Sequence, residues 1–135
     1  MNHPIATLVS SLLLAVAAPA TADIVVVVHP DNPATRMFTD QAAQFFLGKS
    51  NVFTPVDQAP DSAIRTEFYQ KVANKTPAQV AAIWSKLVFS AKAVPPRELK
   101  SDAEVKKAIA ADPKGIGYID KAAVDASVKV VLTLQ

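Results

Sequence analysis

Few residues of this chain have the types and spacing that chemistry needs. The stretch that comes nearest is DQAPDSAIRTEF, Asp57 to Phe68. It runs from a turn into a segment whose apolar residues Ile64, Phe68 and Val72 recur every fourth position, the pattern of one helical stripe. Ser62 stands at the junction, and two readings of it are open. Its hydroxyl can cap the helix, a role worth about 1 kcal/mol. It can also hold an anion, together with the first-turn amides of Ala63 and Ile64 and with Arg65. Unpaired N–H groups and the helix dipole favour negative charge at that end. Arg65 also follows Asp61 at the i,i+4 spacing of a solvent-facing ion pair.

The other candidates carry less. His29 is the only histidine after position 22, so neither a Ser-His-Asp set nor a multi-histidine metal site is expected. His29 with Asp31 would make a two-ligand metal pair, but in HPDNP a turn role suits both better. GIGY contains a G-x-G that precedes a strand instead of leading from strand into helix, the wrong context for a dinucleotide loop. Asp57 and Asp61 flank a turn and read as solvated charge. The chain has no cysteine, which excludes disulfides, thiol catalysis and cysteine-held metal. These residues point to no catalytic set, no metal and no cofactor, and so not to an enzyme. The net charge of +2 is mixed rather than striped, and the aromatics fall at core spacing, so no nucleic-acid partner is expected.

The elements that must position these residues can be read along the chain. Residues 1–22 contain no Asp, Glu, Lys or Arg, have an apolar stretch from Ile5 to Ala18, and end in Ala20-Thr21-Ala22. That is the pattern of a secretory signal peptide, and the apolar core is shorter than a membrane span needs. The expected mature chain is Asp23 to Gln135, a single periplasmic domain and not an integral membrane protein. Its opening run, Ile24 to Val28, is β-branched and unbroken, as in a strand covered on both faces of a parallel sheet. FTDQAAQFFLGK reads as a helix capped by Thr39 and stopped by Gly48, with Ala42, Phe45 and Phe46 facing the sheet. NVFTPV is a strand that Pro55 confines to an edge or a strand end.

A helix from Ser62 follows, then one with Thr76 as cap, Pro77 at the first position and Gln79 completing a capping box. Val80, Ile83, Trp84 and Leu87 line its buried face. AKAVPPREL is an extended connector. Ser101 and Glu104 repeat the capping pattern before a further helix, and IGYI and SVKVVLTL are the last strands, joined by a helical turn near Ala122 to Asp125. Helices between apolar strands predict an α/β domain with a mostly parallel sheet.

In that order, VVVVHPDNP, FTDQAAQFFLGK, PDSAIRTEF, IWSKLVFSAK followed by PP, and GIGYI resemble the phosphate-binding proteins of bacterial ABC importers. They resemble most closely small PstS-like proteins with one lobe of the type II periplasmic-binding-protein-like fold. The family clamps its ligand between two lobes, so the resemblance implies one wall of a cleft, with a homodimer or another envelope protein supplying the second. Family members carry an Arg, an Asp and then Ser-Gly-Thr-Arg before a Phe. Here Ser62, Arg65 and Phe68 match, while Gln58 replaces the ligand Arg, Pro60 the Asp, Ala63 the Gly and Ile64 the Thr. These departures remove a bidentate cation and a donor hydroxyl.

The resemblance thus implies an exported solute-binding protein that takes phosphate or another oxyanion weakly near Ser62. The alternative is an envelope protein-interaction module without a ligand. HPDNP, DQAPDS and AKAVPP are expected to form one surface, whose character as polar pocket or apolar patch would separate the two.

Overall fold

The computed structural model describes residues 23–135, so the signal-peptide expectation for residues 1–22 lies outside the described residues. The elements are β1 (Ile24–Val28), α1 (Thr39–Phe46), β2 (Thr54–Gln58), α2 (Ala63–Ala73), α3 (Pro77–Phe89), β3 (Arg97–Leu99), α4 (Asp102–Ala110), β4 (Gly115–Asp120), a 3-10 turn (Lys121–Ala123) and β5 (Lys129–Leu134). The five strands form one sheet in the order β3-β2-β4-β1-β5. β2 pairs in parallel with both β3 and β4, whereas β1 pairs antiparallel with β4 and β5. Four strands therefore run one way, as a mostly parallel sheet requires, and β1 alone runs against them.

The apolar run of β1 is buried along its whole length, as its composition predicts. Its alternate residues go to opposite faces, the period-two rule of a strand. Ile24, Val26 and Val28 join a core with Phe46 of α1, Phe68 and Val72 of α2, and Val80 and Trp84 of α3. Val25 and Val27 face Val105 and Ile109 of α4. Three helices thus cover one face and one covers the other. GIGY finds its explanation here. A Cβ on Gly117 would lie 2.8 Å from Val105 Cγ1 and 3.1 Å from Val56 Cγ2, so glycine lets α4 settle onto β4.

Local signals set most helix starts. Thr76 accepts from the Gln79 amide and the Gln79 side chain accepts from the Thr76 amide, the reciprocal box expected, with Pro77 in the first turn. Ser101 accepts from the Glu104 amide, but the Glu104 carboxylate takes the Lys100 amide instead of closing the box on Ser101. α1 begins one residue earlier than Thr39 predicts: Phe38 occupies the cap position, and its amide donates to Gln41 Oε1 at 2.9 Å. Gly48 follows α1 with φ +73, the left-handed conformation that glycine takes without penalty.

Of the two places open to Pro55, an edge or a strand end, it takes the second: β2 lies inside the sheet, and Pro55 stands at the start of the strand, opposite Ile116. One expectation needs correction: the stretch read as a connector contains a three-residue strand, β3, held by β2 alone, and it and β5 are the two edges of the sheet.

The reversed direction of β1 also divides the surface expected to be continuous. Because Val28 pairs with Ile116 and Thr54 with Gly115, HPDNP leaves the sheet at the end where β2 and β4 begin. The Asn32 side chain donates to the Pro113 carbonyl there. AKAVPP enters β3 at that same end, while DQAPDS lies at the other, where β2 finishes.

Candidate functional site

At its carboxyl end β2 carries two polar residues into the interior. Asp57 is 2% exposed and Gln58 3%. The expectation that Asp57 is a solvated turn residue is therefore overturned. One of its carboxylate oxygens accepts the Tyr69 hydroxyl at 2.5 Å. The other accepts the Tyr118 hydroxyl and the Gln58 amide, the latter at 2.8 Å. Arg65 Nε stands 3.8 Å from that second oxygen. A carboxylate taken from water is tolerable only when paired and hydrogen-bonded, and Asp57 is both.

The two tyrosines are positioned by the aromatic core. Phe68 stacks on Tyr118 with ring centroids 3.8 Å apart and meets Tyr69 edge-on at 5.1 Å. Burial, then the charge of Asp57 and the bond to it, push both phenols far above their ordinary range. They remain protonated and remain donors. Gln58 is equally committed. Its side-chain amide donates to Asp102 Oδ1 at 2.8 Å and to the Tyr118 carbonyl at 3.0 Å, tying β2 to the start of α4 and to β4.

Above this buried group lies the start of α2. The Ser62 hydroxyl donates to the Ala59 carbonyl at 2.7 Å and accepts the Arg65 amide at 3.4 Å. It is thus a cap that also closes its own turn. The amides of Ala63 and Ile64 find no acceptor among the described residues. Ala63 is exposed and Ile64 is half-buried against the core. Phe68 is fully buried, as a packing aromatic should be.

Arg65 does not pair with Asp61. Its guanidinium donates through Nη1 to the Gln58 carbonyl at 3.0 Å and to Glu98 of β3 at 3.2 Å, and sits 5.8 Å from the centre of the Tyr69 ring. Burial works to lower its pKa, but Asp57 and Glu98 outweigh that and raise it. The only cation at the start of α2 that sequence reasoning named is therefore held between two carboxylates.

The four residues proposed from the sequence, Ser62 to Arg65, do lie together at one helix start. What sequence reasoning missed is the buried set beneath them, Asp57, Tyr69 and Tyr118, together with the flanking carboxylates of Glu98 and Asp102 that hold Arg65 and Gln58. One signal was available. The chain has only two tyrosines, Tyr118 within the apolar run GIGYI and Tyr69 next to Phe68 on the apolar stripe of its helix, and a buried phenol needs an acceptor. His29 takes the turn role expected of it, its Nδ1 accepting the Asp31 amide at 3.0 Å.

The fold is that of a single lobe of the periplasmic-binding-protein-like α/β class. Within that class it is PstS-like. The chain superposes with a TM-score of 0.65 and 21% identity on a protein from Clostridium perfringens, described as a candidate phosphate ABC transporter substrate-binding protein and solved with bound phosphate. An ABC-type phosphate transport receptor from Vibrio cholerae gives 0.63 and 18%, and PstS from Borrelia burgdorferi 0.59 and 16%. Each match takes in 82% of this chain and 45–47% of the other, so the chain spans less than half the length of these structures. At these identities the likeness establishes the fold. No family model and no curated protein matches the sequence. No helix among the described residues is long and apolar enough to cross a membrane.

Proposed function

We propose that this chain is an exported solute-binding protein, not an enzyme, that takes a small oxyanion with modest affinity at the start of α2. The observation that carries the reading is the pair of Ala63 and Ile64 amides without an acceptor, next to the Arg65 guanidinium. Phosphate is the first ligand to consider, because the Clostridium perfringens neighbour holds it. Modest affinity follows from what already surrounds Arg65. An incoming anion must displace Glu98, whose side chain is half exposed, and must tolerate the buried charge of Asp57. An anion on a single lobe also stays partly hydrated. A second copy of the chain or an envelope partner would form the other wall.

The test is calorimetric titration of the protein with phosphate, with sulfate as control. Saturable heat that is lost in Ser62→Ala and Arg65→Ala, each still folded, supports the reading. Unchanged affinity in both variants, or no heat at millimolar phosphate, rejects it.

A second reading, an envelope protein-interaction module, is favoured by Phe89 and Val94, which are 94% and 86% exposed at the end of α3 and in the connector after it. It predicts a stable complex with an envelope protein that Phe89→Ser abolishes, and recovery of the chain alone would count against it.

A further inference from the structure

The end of the sheet opposite Ser62 holds a cavity of about 550 Å³, bounded by the residues after α1, the start of β2 and the connector between α3 and β3. Its apolar lining includes Phe45, Phe53 and Trp84, and Lys49 and Lys92 also border it. Phe45 and Phe53 meet edge-on at 4.8 Å, and the Trp84 indole N–H is satisfied by the Phe46 carbonyl, so the aromatic surface is rigid and its polar atom is already used. No Asp or Glu lines the cavity, and neither lysine forms an ion pair among the described residues. This is the reverse of the α2 start, where carboxylates surround the one arginine.

Backbone geometry holds both lysines beside the cavity. Gly48 turns the chain at φ +73, and a Cβ there would lie 2.6 Å from Leu87 Cδ1 and 3.0 Å from Trp84 Cη2. The close approach of backbone to indole places Lys49 directly after it. Ala91 adopts φ +56, unusual for a residue with a side chain, and the Lys92 amide bonds back to the Leu87 carbonyl at 3.0 Å. Volume, aromatic lining and uncompensated positive charge agree on one kind of occupant. Pockets of this size suit small organic molecules, with a few polar groups fixing their orientation.

We propose that this cavity is a ligand site for a small organic anion with a flat apolar body, an aromatic carboxylate in chemical class. The ring would lie on Phe45, Phe53 and Trp84, and the carboxylate would meet Lys49 and Lys92. The site is separated from Ser62 by the length of β2 and does not depend on the oxyanion reading.

Trp84 is the only tryptophan in the chain and forms part of the cavity wall, so its fluorescence is an optical readout at this site. The experiment titrates the full chain with 2-naphthoate, and in parallel with 2-naphthamide and inorganic phosphate. The expected result is a saturable change in Trp84 emission with naphthoate, with half-saturation on the order of 0.1–1 mM. The amide should bind at least tenfold more weakly and phosphate should give no comparable change. Lys49→Gln with Lys92→Gln, surface changes that leave the aromatic lining intact, should weaken naphthoate at least tenfold, while Ser62→Ala should leave it unaltered.

No saturation up to about 10 mM overturns the proposal. So does equal binding of amide and acid, full affinity in the folded lysine double variant, or a phosphate response matching that of naphthoate.

Discussion

Raising the pH should unfold this protein through its two tyrosines. Tyr69 and Tyr118 are the only tyrosines in the chain, and both donate to the buried Asp57 carboxylate. Burial first, and Asp57 second, raise their pKa values well above those of exposed phenols. In the unfolded chain both ionise near pH 10. A group whose folded value is raised contributes stability that is fully present below its unfolded value and is lost as pH climbs toward the folded one.

Each phenol therefore removes about 1.4 kcal/mol per pH unit above that point, and the pair about 3 kcal/mol by roughly pH 11. That is a large share of a typical domain stability of about 5–15 kcal/mol. Urea unfolding at about pH 8 and about pH 11 should show the midpoint falling by about 1–3 M. Tyrosinate absorbance supplies an independent readout, and it should appear only with cooperative unfolding. Tyr69→Phe should remove about half of the alkaline loss. Tyrosinate forming near pH 10 while the circular dichroism stays native would refute the reasoning. An unaltered alkaline shift in both Tyr69→Phe and Tyr118→Phe would do the same.

Asp57→Ala leaves two buried hydroxyls and the Gln58 amide without that acceptor, and Arg65 without its inward counter-charge, and should cost about 3–5 kcal/mol in urea unfolding, whereas a cost below about 1 kcal/mol would mean the network is not structural. Gly48→Ala forces a side chain into the left-handed region and against Leu87 and Trp84, so the melting temperature should fall by an amount equivalent to about 1–2 kcal/mol. Ser62→Ala should cost about 1 kcal/mol as the loss of a cap, whether or not any anion binds. Glu98→Gln releases a partly exposed pair at a cost of at most about 1 kcal/mol and should raise phosphate affinity by up to about fivefold, since Arg65 then has one carboxylate fewer to leave; an affinity that falls would contradict displacement of Glu98.

The elements that the sequence declared were those whose signals are local. Five consecutive β-branched residues make β1 whatever surrounds them, and Thr76, Pro77 and Gln79 fix the start of α3 within one turn. β3 was not legible, because Arg97, Glu98 and Leu99 are short, half polar and ordered by β2 rather than by their own pattern. The direction of β1 was equally hidden, since a strand buried on both faces has the same composition with parallel or antiparallel neighbours. The site divides in the same way. Ser62 to Arg65 could be grouped because they are contiguous. The burial of Asp57 could not be seen locally, because it depends on hydroxyls 12 and 61 residues further along the chain.

β1 has a consequence for how the molecule comes into being. Among the described residues its only sheet neighbours are β4 and β5, both far along the chain, and Ile24 is the Cα partner of both Asp120 and Leu134. The most apolar strand is thus the one whose hydrogen bonds wait longest. A growing or threading chain can form α1 to α3 early, yet it must carry Ile24 to Val28 unpaired until the far end of the sequence arrives. Such non-local pairing slows folding and leaves an adhesive segment open to chaperones or to aggregation. The antiparallel strand between β4 and β5 therefore acts as a closing step, making completion of the fold a late event that depends on those two strands.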